Sequence, residues 1–136
     1  MRYLLSLILL FFSSPVVYPA APFSHHALDQ ILEAYVDSLG RVNYLALKKS
    51  RQLLDAYTDS LGLYSPHSHP ALFPSRNHSL AYWINAYNAF VLKGVVDAYP
   101  VKSVMDILVG FGFFKLTYFT AGGKRYTLED IEHRIL

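Results

Sequence analysis

The segment from Ser79 to Tyr99 constrains the fold more than any other part of the sequence. It is predicted to form one long helix that is apolar on nearly every side. Such a helix belongs in the middle of a structure, because none of its faces suits water. Between positions 80 and 92 its only non-aromatic polar residues are Asn85 and Asn88. The rest of the chain is therefore expected to pack around this helix.

Asn85 and Asn88 are three positions apart, which places them near one another on the helix surface. A buried amide without a partner costs on the order of 1 to 3 kcal/mol, so both are expected to have partners. Either each amide fixes a neighbouring loop, or both line a polar cleft and orient a substrate. In the second case they would act by orientation or oxyanion stabilisation, because an amide is neither a nucleophile nor a general base. Tyr87 and Trp83 are then candidate binding residues on the same helix.

Apolar residues at helical spacing predict two amphipathic helices ahead of the central one. The first should run from Ser24 to Leu39 and the second from about Leu45 to Leu61. Gly40 and Gly62 are expected to end them, since glycine is the usual residue just past a helix C-terminus.

Three prolines among serines and histidines predict an irregular loop between Gly62 and Ser79. His67, His69 and His78 lie in this part of the chain. A metal site would need a rigid set of ligands, which a proline-broken loop does not offer. We therefore expect solvated histidines here, with no metal and no cofactor.

The sequence after the central helix predicts a β-hairpin. Pro100 stops the helix, because proline lacks an N–H and its ring clashes with the preceding turn. The stretch from Phe113 to Thr120 is aromatic, aliphatic or β-branched except for Lys115, and a glycine pair separates it from residues 124–127. Such a pattern is typical of two strands joined by a tight turn.

Two capping boxes complete the predicted secondary structure. Ser103 with Asp106 should begin a short helical turn, and Thr127 with Asp130 should begin a last helix at Leu128. The predicted fold class is α+β, mostly helical, with a central buried helix, one β-hairpin and a C-terminal helix.

Composition limits the possible partners. The 136 residues suit one domain, and 12 basic against 10 acidic residues, scattered without runs, give no basic face for a nucleic acid. The absence of cysteine excludes disulfides, thiolate ligands and a cysteine nucleophile within these residues.

The N-terminus is typical of a secretory signal peptide. Arg2 precedes an apolar run from Tyr3 to Phe12 that is interrupted only by Ser6. Export to the periplasm or the extracellular space is expected, with cleavage near Ala20 or Ala21. The alternative is an uncleaved anchor, which would be the chain's only contact with a membrane. Residues 1–21 are thus assigned to the signal and 22–136 to a single domain.

His133 is the candidate catalytic base. It points away from the apolar stripe formed by Leu128, Ile131 and Ile135, and Glu129 lies one turn before it. Either His133 and Glu129 form a surface ion pair, or His133 faces the two asparagines across a cleft. In the second case Glu129 or Glu132 would orient the imidazole.

Several of these strings resemble one known family. They are Ala81 to Phe90, Tyr99 to Val104, and Tyr126 to His133 followed by Ile135 and Leu136. Together they resemble the uncharacterised family catalogued as domain of unknown function 547. The run from Gly40 to Tyr44, followed by Leu47 and Lys48, resembles the family's opening, with Asn43 where an aspartate is expected.

The resemblance implies that the family pattern continues past the last helix into a segment with a further histidine and cysteines. The chain is therefore expected to match the N-terminal and middle part of the family and to be truncated on its C-terminal side.

Two functions remain open at this point. The first is a hydrolase-like or transferase-like site of the cell envelope, incomplete in this chain, with His133, Asn85 and Asn88 as catalytic residues. The second is a non-catalytic envelope module that binds a small-molecule or protein ligand. Its binding surface would be the aromatic residues around the hairpin, which are Phe111, Phe113, Phe114, Tyr118 and Phe119.

Overall fold

The structure is a computed structural model that describes residues 20–134. The expected signal peptide lies outside the described residues except for Ala20 and Ala21. The described part is α+β and mostly helical, as predicted, and it has no helix long and apolar enough to cross a bilayer. Its helices are α1 (His26–Tyr35), α2 (Tyr44–Lys49), α3 (Gln52–Leu63), α4 (Arg76–Ala98), α5 (Gly112–Leu116) and α6 (Leu128–Arg134), and its strands are β1 (Phe119–Ala121) and β2 (Lys124–Tyr126).

Helix α4 is the central element, and α2, α3 and α6 all pack against it. Tyr82 and Ala86 on its inner side are completely buried. Its other side is open in residues 20–134, because Leu80 and Ile84 are 41% and 44% exposed. The prediction of a helix enclosed on nearly every side is therefore wrong for the first half of α4.

The first two predicted helices differ from those observed. Helix α1 ends at Tyr35, and the chain then turns through Gly40, whose φ is +76°. The predicted second helix is broken at Ser50 into α2 and α3. The backbone N–H of Ser50 closes α2 by donating to the carbonyls of Ala46 and Leu47, and the Lys48 ammonium donates to the Tyr99 carbonyl just beyond the end of α4.

Gly62 does not end α3, which continues to Leu63. The reason is the β-hairpin, whose turn packs on this end of the helix. The backbone N–H of Gly122 donates to the Leu61 carbonyl at 2.9 Å, and that of Gly123 donates to the Gly62 carbonyl at 2.8 Å. The hydroxyl of Tyr82 also donates to the Leu61 carbonyl, at 2.9 Å. Helix α3, the hairpin and α4 are thus joined at one point.

The hairpin is shorter than predicted. Strand β1 begins only at Phe119, and α5 occupies Gly112–Leu116, of which residues 113–116 were predicted as strand. Phe113 of α5 is completely buried, and its ring lies so near α4 that a Cβ added at Gly94 would be 2.3 Å from it. Packing of this one ring overrides the strand preference of the segment.

Both predicted capping boxes are confirmed. The Ser103 hydroxyl accepts from the backbone of the following turn, and the Asp106 carboxylate accepts from the Ser103 N–H at 3.1 Å. Thr127 and Asp130 exchange the same pair of bonds at 3.0 and 3.1 Å. The second box begins α6.

An ion network links α3 to α4. Arg51 pairs with Asp55 and with Asp97, and Lys93 pairs with Asp55 at 3.1 Å and with Asp97 at 3.5 Å. The hydrogen bonds from Arg51 are the main reason that the pKa of Asp55 falls from 3.8 to about 2.

The low pKa of Asp55 predicts a small loss of stability in acid. Its stabilising effect is complete above the unfolded-state pKa and disappears as the pH falls toward 2, because the protonated carboxyl no longer pairs. The side chain is 36% exposed, so the effect should stay below about 1 kcal/mol. Urea unfolding at pH 5 and pH 2.5 should show a smaller acid loss in Asp55→Asn than in the wild type. Asp59→Asn, one turn away, should keep the wild-type loss, and equal losses in all three proteins would contradict the prediction.

Thr117, just after α5, carries a buried hydroxyl oxygen without a hydrogen-bond partner among the described residues. Thr117→Val should therefore raise the free energy of unfolding by about 1 kcal/mol, because it removes an unsatisfied polar group at similar volume. Urea unfolding measures the change. The control is Thr120→Val, at an exposed position of β1, which should change it by less than about 0.5 kcal/mol. A loss of stability in Thr117→Val would show that the hydroxyl has a partner after all.

Candidate functional site

A pocket of about 200 Å³ lies where α4, α5 and α6 meet. We call it the α4–α5–α6 pocket. It combines aromatic side chains with acidic and basic ones. The residues that line it are Tyr87, Phe111, Phe114, Lys115, Glu129, Glu132 and His133.

Helix α6 supplies three of the polar side chains that line the pocket. Its capping box fixes where the helix starts, and Leu128 and Ile131 are both completely buried. Residues three and four positions apart share a helix face, so Glu129, Glu132 and His133 lie together. The sequence prediction that His133 points away from the apolar stripe is confirmed, since this residue is exposed.

One of the two alternatives for His133 was a surface ion pair with Glu129, and this pair is not observed among the described residues. Glu129 pairs instead with Lys115 of α5 at 3.2 Å. Burial raises the pKa of the Tyr87 hydroxyl, and the negative charge of Glu132 raises it further. Tyr87 therefore remains a neutral phenol that can both donate and accept a hydrogen bond.

The aromatic side of the pocket comes from α5 and the loop before it. Phe111 is 66% exposed, whereas Phe114 is half-buried with its ring edge-on to Phe113 at 5.2 Å. In the preceding loop Leu108 and Val109 have φ values of 58° and 46°, which side chains of this kind rarely adopt. Such strained backbone tends to occur at functional sites.

The two asparagines do not line this pocket. Asn85 is half-buried and Asn88 is exposed, so the expectation that both amides are buried is wrong. Neither side chain makes a hydrogen bond within residues 20–134. The α4–α5–α6 pocket therefore contains His133 without the two asparagines, and the catalytic set of Asn85, Asn88 and His133 stays a prediction.

The two candidate binding residues of α4 have different surroundings. Tyr87 lines the pocket. Trp83 is only 4% exposed, and its ring packs edge-on against Tyr82 at 5.0 Å and Tyr126 at 5.3 Å. Trp83 is thus part of the core, and its position gives no support to direct contact with a ligand.

The histidines of the proline-rich loop do not meet as a metal site. His67 lies near the Trp83 ring, and His69 and His78 each hydrogen-bond a nearby serine, at 3.0 and 2.7 Å. Over residues 20–134 no three His, Asp or Glu side chains are grouped so as to hold a metal ion.

Sequence reasoning missed Lys115 as a pocket residue. It also assigned Phe111 and Phe114 to a surface around the hairpin rather than to the pocket. The only local signal was the glycine on each side of Phe111, which is compatible with a helix start as well as with a turn.

Comparison with known proteins gives one family. The family model described as "Protein of unknown function, DUF547" matches residues 72–136. No curated protein and no solved structure matches the chain. The match contains α4, α5, the hairpin and α6, and so every residue that lines the α4–α5–α6 pocket. The resemblance of Gly40 to Lys48 to the family's opening lies outside it and stays a prediction. Residues 72–136, slightly under half of the chain, match the DUF547 family model and are consistent with a DUF547 domain.

Proposed function

We propose that the chain is an exported cell-envelope domain that binds a small-molecule or protein ligand in the α4–α5–α6 pocket. The observation that supports this most is an exposed aromatic ring, Phe111, at the edge of a concave site that also holds Glu132 and His133. Ligand sites commonly combine apolar walls with a few polar groups that fix orientation.

The size and chemistry of the pocket limit the ligand. A volume of about 200 Å³ is below the roughly 300 to 1,000 Å³ that is usual for drug-sized molecules. It suits a single side chain of a partner or a small polar molecule. Phe111 and Phe114 would contact an apolar group, while Glu132, His133 and the Tyr87 hydroxyl would bind an adjacent polar one.

Ligand-observed NMR with a library of small aromatic acids, amines and amides tests this proposal. Fragments that bind the wild type should bind about tenfold more weakly to Phe111→Ala and to His133→Gln, the loss of about 1.4 kcal/mol expected for one contact. Tyr64→Ala is the matched control, since Tyr64 is an exposed aromatic (37%) that does not line the pocket. Equal affinity for all four proteins would refute the proposal.

A hydrolase-like or transferase-like activity is the second candidate, favoured by the presence of His133, Glu132 and Tyr87 in one pocket. His133 would act as the general base and Glu132 would orient it, with Tyr87 as a hydrogen-bond donor. An activated ester such as p-nitrophenyl acetate is a suitable probe. The hydrolysis rate should fall at least about tenfold in His133→Gln and remain unchanged in His26→Gln, an exposed histidine of α1. Equal rates in both variants would remove this candidate.

Export is part of the proposal and is supported by the charged start and apolar run at residues 2–12. Mass spectrometry of the chain secreted from a bacterial host should give a mature protein that begins at Ala21 or Pro22. A chain that retains Met1 and stays in the cytoplasm would contradict export.

A further inference from the structure

A second concave region lies between α3, α4 and residues 117–120. It consists of two adjoining pockets of about 540 and 390 Å³, which share Lys93, Tyr118 and Phe119. We call this region the α3–α4 cleft. None of its lining residues belongs to the α4–α5–α6 pocket. Its size is in the range of small-molecule sites.

The floor of the α3–α4 cleft is aromatic and fixed. The rings of Phe90 and Phe119 stack at 4.9 Å with an angle of 12° between their planes. Phe113 lies edge-on to Phe119 at 6.5 Å and is itself completely buried. Because these rings belong to the core, the apolar floor exists before any ligand arrives.

The charges that face the cleft are unbalanced. Lys93 is its one lining cation among the described residues, and this cation is already paired with Asp55 and Asp97. Asp59 of α3 lines the cleft, is exposed and forms no ion pair within residues 20–134. A further cation, Arg125, lies over the Tyr118 ring at 4.4 Å and is outside the lining. The lining residues therefore carry a net negative charge.

The smaller of the two pockets that form the cleft is lined by a further polar side chain. Thr117 lines it, and the hydroxyl oxygen of this residue has no partner among the described residues. A ligand that reaches this hydroxyl would supply the hydrogen-bond partner that it lacks.

We propose that the α3–α4 cleft binds a small organic cation with an apolar body. The ammonium group pairs with the Asp59 carboxylate, and the apolar body lies on Phe90 and Phe119. An anion is disfavoured, because the Lys93 ammonium is engaged by two carboxylates while Asp59 would repel it.

Three probes of similar shape test the proposal on the full chain. They are 2-phenylethylammonium, the neutral 2-phenylethanol and the anionic 3-phenylpropanoate, each followed by ¹⁵N chemical-shift titration at pH 7. The ammonium probe should bind about fivefold more tightly than the alcohol, as expected for one exposed ion pair, and the anion should bind least. The amides that shift should lie in residues 58–63 and 117–120.

Asp59→Asn should remove the preference for the ammonium probe while leaving the affinity for the alcohol unchanged. Glu33→Gln, which neutralises an exposed carboxylate on α1, is the matched control and should keep the preference. The proposal is overturned if no probe binds, if all three bind equally, or if Asp59→Asn behaves as the wild type. Shifts confined to residues 111–115 and 129–133 would also overturn it and would instead point to the α4–α5–α6 pocket.

Discussion

Replacing Phe113 with alanine is expected to lower the free energy of unfolding by about 3 to 5 kcal/mol. The ring is completely buried and lies against Gly94 of α4, at a position where a Cβ would be only 2.3 Å away. Truncation to alanine would remove the packing contacts of the ring and leave a cavity in the core. The variant should also lose ligand binding in the α4–α5–α6 pocket, because Phe113 holds α5 in place. Urea unfolding and fragment binding measure the two effects.

Phe111→Ala is the matched control for this prediction. Phe111 lies two residues earlier and is 66% exposed, so its loss should change the free energy of unfolding by less than about 0.5 kcal/mol. Ligand affinity should nevertheless fall in both variants. If Phe113→Ala were as stable as Phe111→Ala, α5 would not be anchored as the structure has it.

Gly122→Ala is expected to lower the free energy of unfolding by about 2 to 4 kcal/mol. Gly122 has a φ of +55°, and a Cβ there would lie 2.1 Å from the hydroxyl oxygen and 2.6 Å from the Cβ of Ser65. Ser65 is only 2% exposed, so it has little room to move. The hairpin turn would have to leave α3 and lose the hydrogen bond from Gly122 to Leu61.

Two further variants separate the causes of this effect. Gly123 has a φ of +79° but open space around it, so Gly123→Ala should cost only about 1 kcal/mol of backbone strain. In a Ser65→Gly background the cost of Gly122→Ala should fall by at least about 1 kcal/mol, because the clash is relieved. A cost that does not depend on Ser65 would contradict the contact.

Local chemistry explains which elements could be predicted from the sequence. The two capping boxes were predictable because each depends on residues three positions apart, and both are observed. The prediction of α6 as a helix follows from the spacing of its apolar residues, and that of α4 from its long apolar stretch. The fold class followed from these elements together.

The elements that were not predictable depend on distant contacts. The segment 113–120 has the composition of a strand, yet burial of Phe113 against Gly94 makes its first part a helix. Gly62 was predicted to end a helix, but the hairpin that packs on α3 sits about 60 residues later in the chain and changes that role. The break at Ser50 has no signal in the spacing of apolar residues.

The same distinction between local sequence signals and distant contacts applies to the residues of the candidate site. Helical spacing alone places Glu129, Glu132 and His133 on one face. The position of Lys115 opposite Glu129 requires α5, and the solvent exposure of Asn88 requires knowing which side of α4 is covered. An apolar stretch in the sequence indicates burial without showing which face stays open.

Chemical-shift mapping of the chain with its tightest-binding fragment is the most direct test of the central claim, that the α4–α5–α6 pocket is the binding site. The account predicts that the shifted amides cluster at Tyr87, in residues 111–115 and in residues 129–133, and that His133→Gln weakens the binding that these shifts report by about tenfold. Shifts that lie elsewhere on the chain, or that persist unchanged in His133→Gln, would contradict it.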